Sequence, residues 1–196
     1  MNTDLDQPAV PGGDAAGGED RSCDEEPPSR LRLALERVDD DGDWANFGPV
    51  DDLIAAVGRV LGEAPELSAS LPASAAIALS SNAAVRRLNA AYRGKDSPTN
   101  VLSFAAPPLG IPTDAPRALG DVVLALETLV EEAATAGIPP DHHFQHLLIH
   151  GLLHLVGYDH EAEAEAERME ALETALLARL GIPDPYAPAP AMEDRP

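Results

Sequence analysis

The sequence predicts one mixed β-sheet covered by helices in a single folded domain, and three observations carry that expectation. The chain has 196 residues, 44% of them hydrophobic, which suits one core flanked by tails. Leu31, Leu33 and Leu35 alternate with Arg32, Ala34 and Glu36, the two-residue period of a strand with one buried face. Beyond them, segments with apolar residues at helical spacing are interspersed with β-rich stretches, the pattern of a sheet that acquires its helices along the chain.

After the leucine strand, Leu53, Val57, Val60 and Leu61 share one helical face behind the acidic start Asp51-Asp52, and Gly62 lies near the stop. A short strand runs from Ala75 to Leu79. Asn82 to Tyr92 reads as a helix with Val85, Leu88 and Tyr92 on one side, ended by Gly94. Pro98 disfavours helix before it, and the β-rich Thr99 to Phe104 reads as a strand. Gly120 to Leu126 is a further strand, and Thr128 to Ala136 a helix closed by Gly137. Two more helices, His142 to Val156 and Glu161 to Leu180, complete the domain, and there is no internal repeat.

Residues 1–28 hold eight acids against Arg21 alone, interleaved with Gly and Pro and without periodicity, and are expected to be a disordered tail. The domain is placed at 29–183, followed by a Pro-rich tail at 184–196. Net charge is −21, too acidic for a general nucleic-acid coat, which needs many cations to meet phosphates. The lone Cys23 permits no intramolecular disulfide or cysteine metal cage, and points to a reducing compartment. Early acids occupy the place where a secretory signal needs cations, and no run approaches a membrane span, so a cytoplasmic protein without membrane partners is expected.

All six histidines lie between positions 142 and 160. His150 and His154 are one helical turn apart, so their rings project from one face. Gly157 can adopt positive φ and turn the chain through Tyr158 and Asp159, returning His160 toward the same point. Three imidazoles with an open fourth position describe a catalytic zinc arrangement, since structural sites are closed by four protein ligands. The apolar flanks Leu147, Leu148, Ile149, Leu152, Leu153, Leu155 and Val156 supply a dry setting. His146, a turn earlier, reads either as a group bonded to a ligand or substrate, or as a polar helix edge; His142 and His143 are expected in solvent. The thermolysin-type pattern H-E-x-x-H needs a glutamate where Gly151 stands, which weakens peptidase chemistry. Zinc would still acidify a bound water and polarise a phosphoryl oxygen. Asp159 is a candidate for handling protons, or else a residue that forms the turn or orients its neighbour.

Arg86, Arg87, Arg93 and Lys95 make a local basic concentration in this acidic chain, running into the polar loop Asp96 to Asn100. A guanidinium there can grip a phosphate; the plainer reading is cations at a helix end, favoured by its negative dipole. That plainer reading is preferred for Arg86 and Arg87, whereas Arg93 and Lys95, off the helix end, suit either.

The run from His150 to His160 (HGLLHLVGYDH), with Leu88-Asn89, the stretch Tyr92 to Phe104 (YRGKDSPTNVLSF) and Leu119-Gly120-Asp121, resembles the YbeY family of bacterial endoribonucleases and rRNA maturation factors. The resemblance covers roughly residues 30–180 and leaves the acidic N-terminal tail outside. It implies an α+β fold with a mostly parallel four-stranded sheet and the metal site on a C-terminal helix and its following turn. It also implies one zinc ion per chain held by His150, His154 and His160, with His150 acting in catalysis as well, and Arg93 at the RNA phosphate. The implied activity is cleavage of single-stranded RNA in ribosomal RNA maturation, at the 3′ end of 16S rRNA, and in ribosome quality control, with ribosomal subunits or proteins as partners. Lys95, His146 and Asp159 remain candidates for substrate contact or ligand support. Two other readings stay open on the residues: a zinc metallopeptidase-like hydrolase, and a ribosome assembly factor without catalysis.

Overall fold

The computed structural model describes residues 32–107 and 116–187; Leu31, the expected acidic tail at 1–28 and the segment 188–196 lie outside the described residues. Four strands, β1 (Leu33–Asp39), β2 (Ala73–Ser80), β3 (Val101–Ala105) and β4 (Arg117–Ala125), form one sheet in the order β1-β2-β4-β3. β1, β2 and β4 are parallel, and β3 joins the edge antiparallel to β4, so the sheet is mixed and mostly parallel. Five helices accompany it: α1 (Val50–Gly62), α2 (Asn82–Arg93), α3 (Leu126–Ala136), α4 (Pro140–Leu155) and α5 (Glu163–Arg179). This is the expected α+β architecture.

Alternation assigns the two sheet faces. Ala73, Ala75, Ile77 and Leu79 of β2 point into the main core with Val122 and Leu124 of β4. On the opposite face, Val85 and Leu88 of α2 cover Leu102, Val123 and Ala125. α4 packs on β3 and β4 and also touches α1, α3 and α5. Leu147, Leu148, Ile149, Leu152, Leu153 and Leu155 are all buried on it. It is apolar on several sides because it lies at the centre of the helical layer.

Several element ends move from their expected places, each for a local reason. β4 begins at Arg117, before Gly120, because pairing continues past a register shift to Ala73 and Ser74 of β2. Leu126 opens α3 instead of ending the strand: Asn82 Oδ1 accepts from the Thr128 backbone N–H (3.2 Å) and hydroxyl (2.7 Å), while Glu127 Oε2 accepts from the Asn82 N–H (2.8 Å). The first turns of α2 and α3 thereby cap one another. α4 starts at Pro140, where a proline's fixed φ suits a first turn. Before α1, a single 3-10 turn (Trp44–Asn46) places Trp44 in the core, its indole N–H donating to the Ser80 carbonyl at 3.0 Å and its ring against Phe47 and Phe144.

Candidate metal centre

His150 and His154 occupy successive turns at the C-terminal end of α4. The helix ends at Leu155, and Gly157 at φ +102° lets the chain reverse, with the Tyr158 N–H bonded to the Leu153 carbonyl (3.0 Å) and the Gly157 N–H to that of His154 (3.1 Å). A β-carbon is strained at such a φ, which is why glycine stands here. Asp159 then fixes the turn, its carboxylate accepting from the His160 backbone N–H at 2.8 Å. Ligand nitrogens of His150, His154 and His160 come within 4.8 Å of one another. The first two rings are half-buried and His160 is exposed, so the cluster opens to solvent on one side.

The outer nitrogens decide which atoms face inward. His154 Nδ1 lies 3.0 Å from the Tyr158 carbonyl, which can only accept, so that nitrogen carries the proton. His150 Nδ1 lies 2.8 Å from Glu173 Oε1 and donates to it. The two Nε2 atoms face one another 3.1 Å apart, and in neutral rings protonated on Nδ1 each offers a lone pair. Two lone pairs at that separation repel unless a proton or a cation lies between them, and with the third imidazole beside them the cluster fits a metal ion on its donor chemistry. Burial, and next the nearby His150, lower the His154 pKa, keeping it in the neutral form that can bind a cation.

Glu173 of α5 has a side chain with no exposure, and sequence reasoning missed it. It accepts from His150, from His146 Nε2 at 3.2 Å and from the Tyr186 hydroxyl. Burial alone pushes a carboxyl up, but these three hydrogen bonds prevail and hold Glu173 at about 2, an ionised carboxylate. The same contact and burial push Tyr186 up. The signal in the sequence was weak but present: Glu173 sits among Met169, Leu172, Leu176 and Leu177, an acid on the apolar side of its helix.

The remaining candidates are not all brought to this cluster. His146 is a turn away from the trio and is directed to Glu173, not to the other imidazoles. His143, expected in solvent, has only 13% of its side chain exposed and bonds Glu132 at 2.9 Å, because Glu132 is also held by Asn100 at the start of β3. Arg93, expected beyond the helix end, is instead the last residue of α2, because the left-handed turn that stops the helix falls at Gly94; Lys95 follows, and both are exposed. Among the described residues neither forms an ion pair, whereas Arg86 pairs with Asp96 at 2.6 and 2.8 Å and so anchors the loop that follows. No hydrogen bond joins Arg93 or Lys95 to the histidines. On β3, Ser103 faces α4 while Phe104 faces Tyr92 of α2, so helix ends carrying the two constellations flank opposite faces of one edge strand.

Position 151, where a peptidase would carry its glutamate, points into the sheet. A β-carbon at Gly151 would lie 2.8 Å from Val122 Cγ1 and 3.1 Å from Ser103 Oγ, so no side chain there reaches the cluster without displacing β3 and β4.

An α+β domain that converges three histidines on one point defines a candidate metalloprotein. The family model described as endoribonuclease YbeY matches residues 48–181, and the chain belongs to that family. Endoribonuclease YbeY of Rhodopseudomonas palustris strain BisA53 is 60% identical over 117 residues, spanning 59% of this chain and 68% of its own length. That of Bradyrhizobium sp. strain BTAi1 is 49% identical over 148 residues, spanning 74% and 86%. A solution structure from Thermotoga maritima is similar at a TM-score of 0.46 and 20% identity, covering 80% of this chain and 99% of its own. No described helix is long and apolar enough to cross a membrane.

Proposed function

We propose that this chain is a zinc-dependent endoribonuclease acting on single-stranded RNA in ribosomal RNA maturation, including the 3′ end of 16S rRNA, and in ribosome quality control. The observation that carries the reading is the convergence of His150 and His154, whose Nε2 atoms lie 3.1 Å apart, with His160 beside them. Those three residues would hold one zinc ion per chain. Zinc supplies Lewis acidity toward a phosphoryl oxygen and makes water a better nucleophile near neutral pH.

The chain's own groups do the rest. The Tyr158 carbonyl and Glu173 keep Nδ1 protonated on both helical histidines, so their Nε2 atoms stay turned inward. The exposed Arg93 supplies a guanidinium for a phosphate, aided by Lys95. Because α2 and α4 flank opposite faces of β3, an RNA strand touching both Arg93 and the histidines passes over that edge strand. Asp159, whose carboxylate is engaged by the His160 N–H, serves the turn. The acidic body repels RNA at a distance, which supports binding in a cytoplasmic complex with a ribosomal subunit or protein. The packing at Gly151 argues against a peptidase, since it leaves no room for the general base.

The test is cleavage of a labelled single-stranded RNA by the zinc-loaded chain and by His154→Ala verified as folded. A loss of at least about a hundredfold, roughly 2.7 kcal/mol of transition-state stabilisation, is expected. Equal activity in the two preparations overturns the reading.

A further inference from the structure

Glu173 belongs to a different helix from the three histidines, is fully buried, and spends both carboxylate oxygens on the site. Oε1 accepts from His150 Nδ1 at 2.8 Å; Oε2 accepts from His146 Nε2 at 3.2 Å and from the Tyr186 hydroxyl. Tyr186 also sets its ring edge-on to His146, with centroids 5.9 Å apart, and its backbone N–H donates to Asp184 Oδ1 at 2.9 Å. Three of the roughly four acceptor sites of this buried carboxylate are engaged, so each donor constrains the direction of the others.

We infer that Glu173 is the positioning residue of the metal centre: it holds the proton of His150 on Nδ1 and its ring in the orientation that presents Nε2 to a cation, and Tyr186 closes this arrangement from the segment after α5. His154 has a backbone carbonyl for the same purpose, and among the described residues His150 has only Glu173. A carboxylate behind a metal-binding imidazole raises its basicity as well as orienting it. The inference rests on the metal reading above and extends it to two residues that touch neither the cation nor RNA. It also draws the end of the described chain into the site, because Tyr186 lies in the Pro-rich stretch that follows the domain.

The test begins with the unaltered, zinc-free full chain labelled with 15N in its histidine rings, at a pH where they are neutral. Both His150 and His154 are expected to carry the proton on Nδ1; a proton on Nε2 of His150 overturns the proposal. Zinc affinity is then measured by competition with a chelator, and the cobalt(II) absorption spectrum recorded, for the unaltered chain, Glu173→Gln, Glu173→Leu and Tyr186→Phe. A positioning role ranks the affinities Glu above Gln above Leu, with Leu weaker by about 10–100-fold and an altered cobalt spectrum, since Gln keeps an acceptor for Nδ1 and Leu does not. Tyr186→Phe, which removes one donor and no packing, is expected to weaken zinc by a smaller factor. Affinities that do not depend on residue 173, or Leu at or above Gln, show that it only fills space and overturn the inference. An unaltered chain that takes up neither metal overturns the metal reading itself, an outcome distinct from the loss of the ranking. If Glu173→Leu does not fold, the ring labelling and the Gln and Phe variants still decide.

Discussion

The hydroxyl of Ser103 donates to the backbone carbonyl of Gly151 at 3.0 Å, fastening the edge strand to the helix that carries two of the three clustered histidines. The contact is possible only because residue 151 has no side chain. Gly151→Ala is therefore expected to destabilise the chain by about 1–3 kcal/mol through overpacking, although alanine is the better helix former. Urea unfolding checks this, and an unchanged midpoint would mean that β3 can retreat freely.

A second glycine is more stringent. Gly120 has φ +130°, and a β-carbon there would lie 2.0 Å from the Phe104 carbonyl oxygen and 2.8 Å from the Ala106 nitrogen, both backbone atoms. Backbone cannot step aside as a flexible side chain can. Gly120→Ala is expected to cost about 3 kcal/mol or more, combining strained φ with a clash, and to loosen β3 from β4 first. Amide exchange at Leu102 and Phe104 together with the melting temperature reports it.

Asn89 is 3% exposed and its side-chain N–H group donates to the Ser97 carbonyl at 2.7 Å, holding the loop that follows Arg93. Asn89→Ala is expected to lose about 1–2 kcal/mol of stability. In an RNA assay the variant should raise KM more than it lowers kcat, because Lys95 and the helix end that carries Arg93 become less fixed while the histidines do not move. A fall in kcat alone contradicts that division of labour.

Zinc itself should stabilise the fold. A ligand at a hundred times its dissociation constant adds about 2.7 kcal/mol if it binds only the folded chain. Thermal unfolding with and without zinc is expected to show this shift in the unaltered chain and to show none in His154→Ala. An equal shift in both would place the metal elsewhere.

Two carboxyls outside the cluster give a pH prediction. The hydrogen bond from Arg86, and then its charge, hold Asp96 below the ordinary value of 3.8; the Ser81 hydroxyl and the Gly42 N–H do the same for Asp41. A depressed carboxyl pKa contributes stability above its unfolded value, and that contribution is lost as pH falls through the folded value. Arg86→Gln should return Asp96 toward 3.8 and leave Asp41 displaced, as read by carbon chemical shifts during titration. Both groups are exposed, so the effect on overall stability is small.

The legible parts of this molecule were those written locally. Helical spacing and one glycine place His150, His154 and His160 within a single helix and turn, and periodicity with turn residues marks the four strands and five α-helices of the described residues. What escaped depends on distance along the chain. Glu173 is one acid among several on α5, and only the packing of α5 on α4 brings it under His150. His143 sits near a helix start, where solvent is the ordinary expectation, and Glu132 from α3 removes it from water. Leu126 changed from strand to helix because Asn82, on another helix, caps it from outside. In each case the deciding partner comes from a different element.

The position of α4 bears on durability. Wedged between the sheet and three other helices, it cannot unwind alone, because its apolar side chains have no other place to go. Its central amides should exchange only in the globally unfolded chain. His150 and His154 thus ride on the part of the molecule that opens last, whereas His160 hangs from an exposed turn. Of the three residues that would hold a cation, two are fixed as firmly as the fold itself, and the third is tied only by its turn.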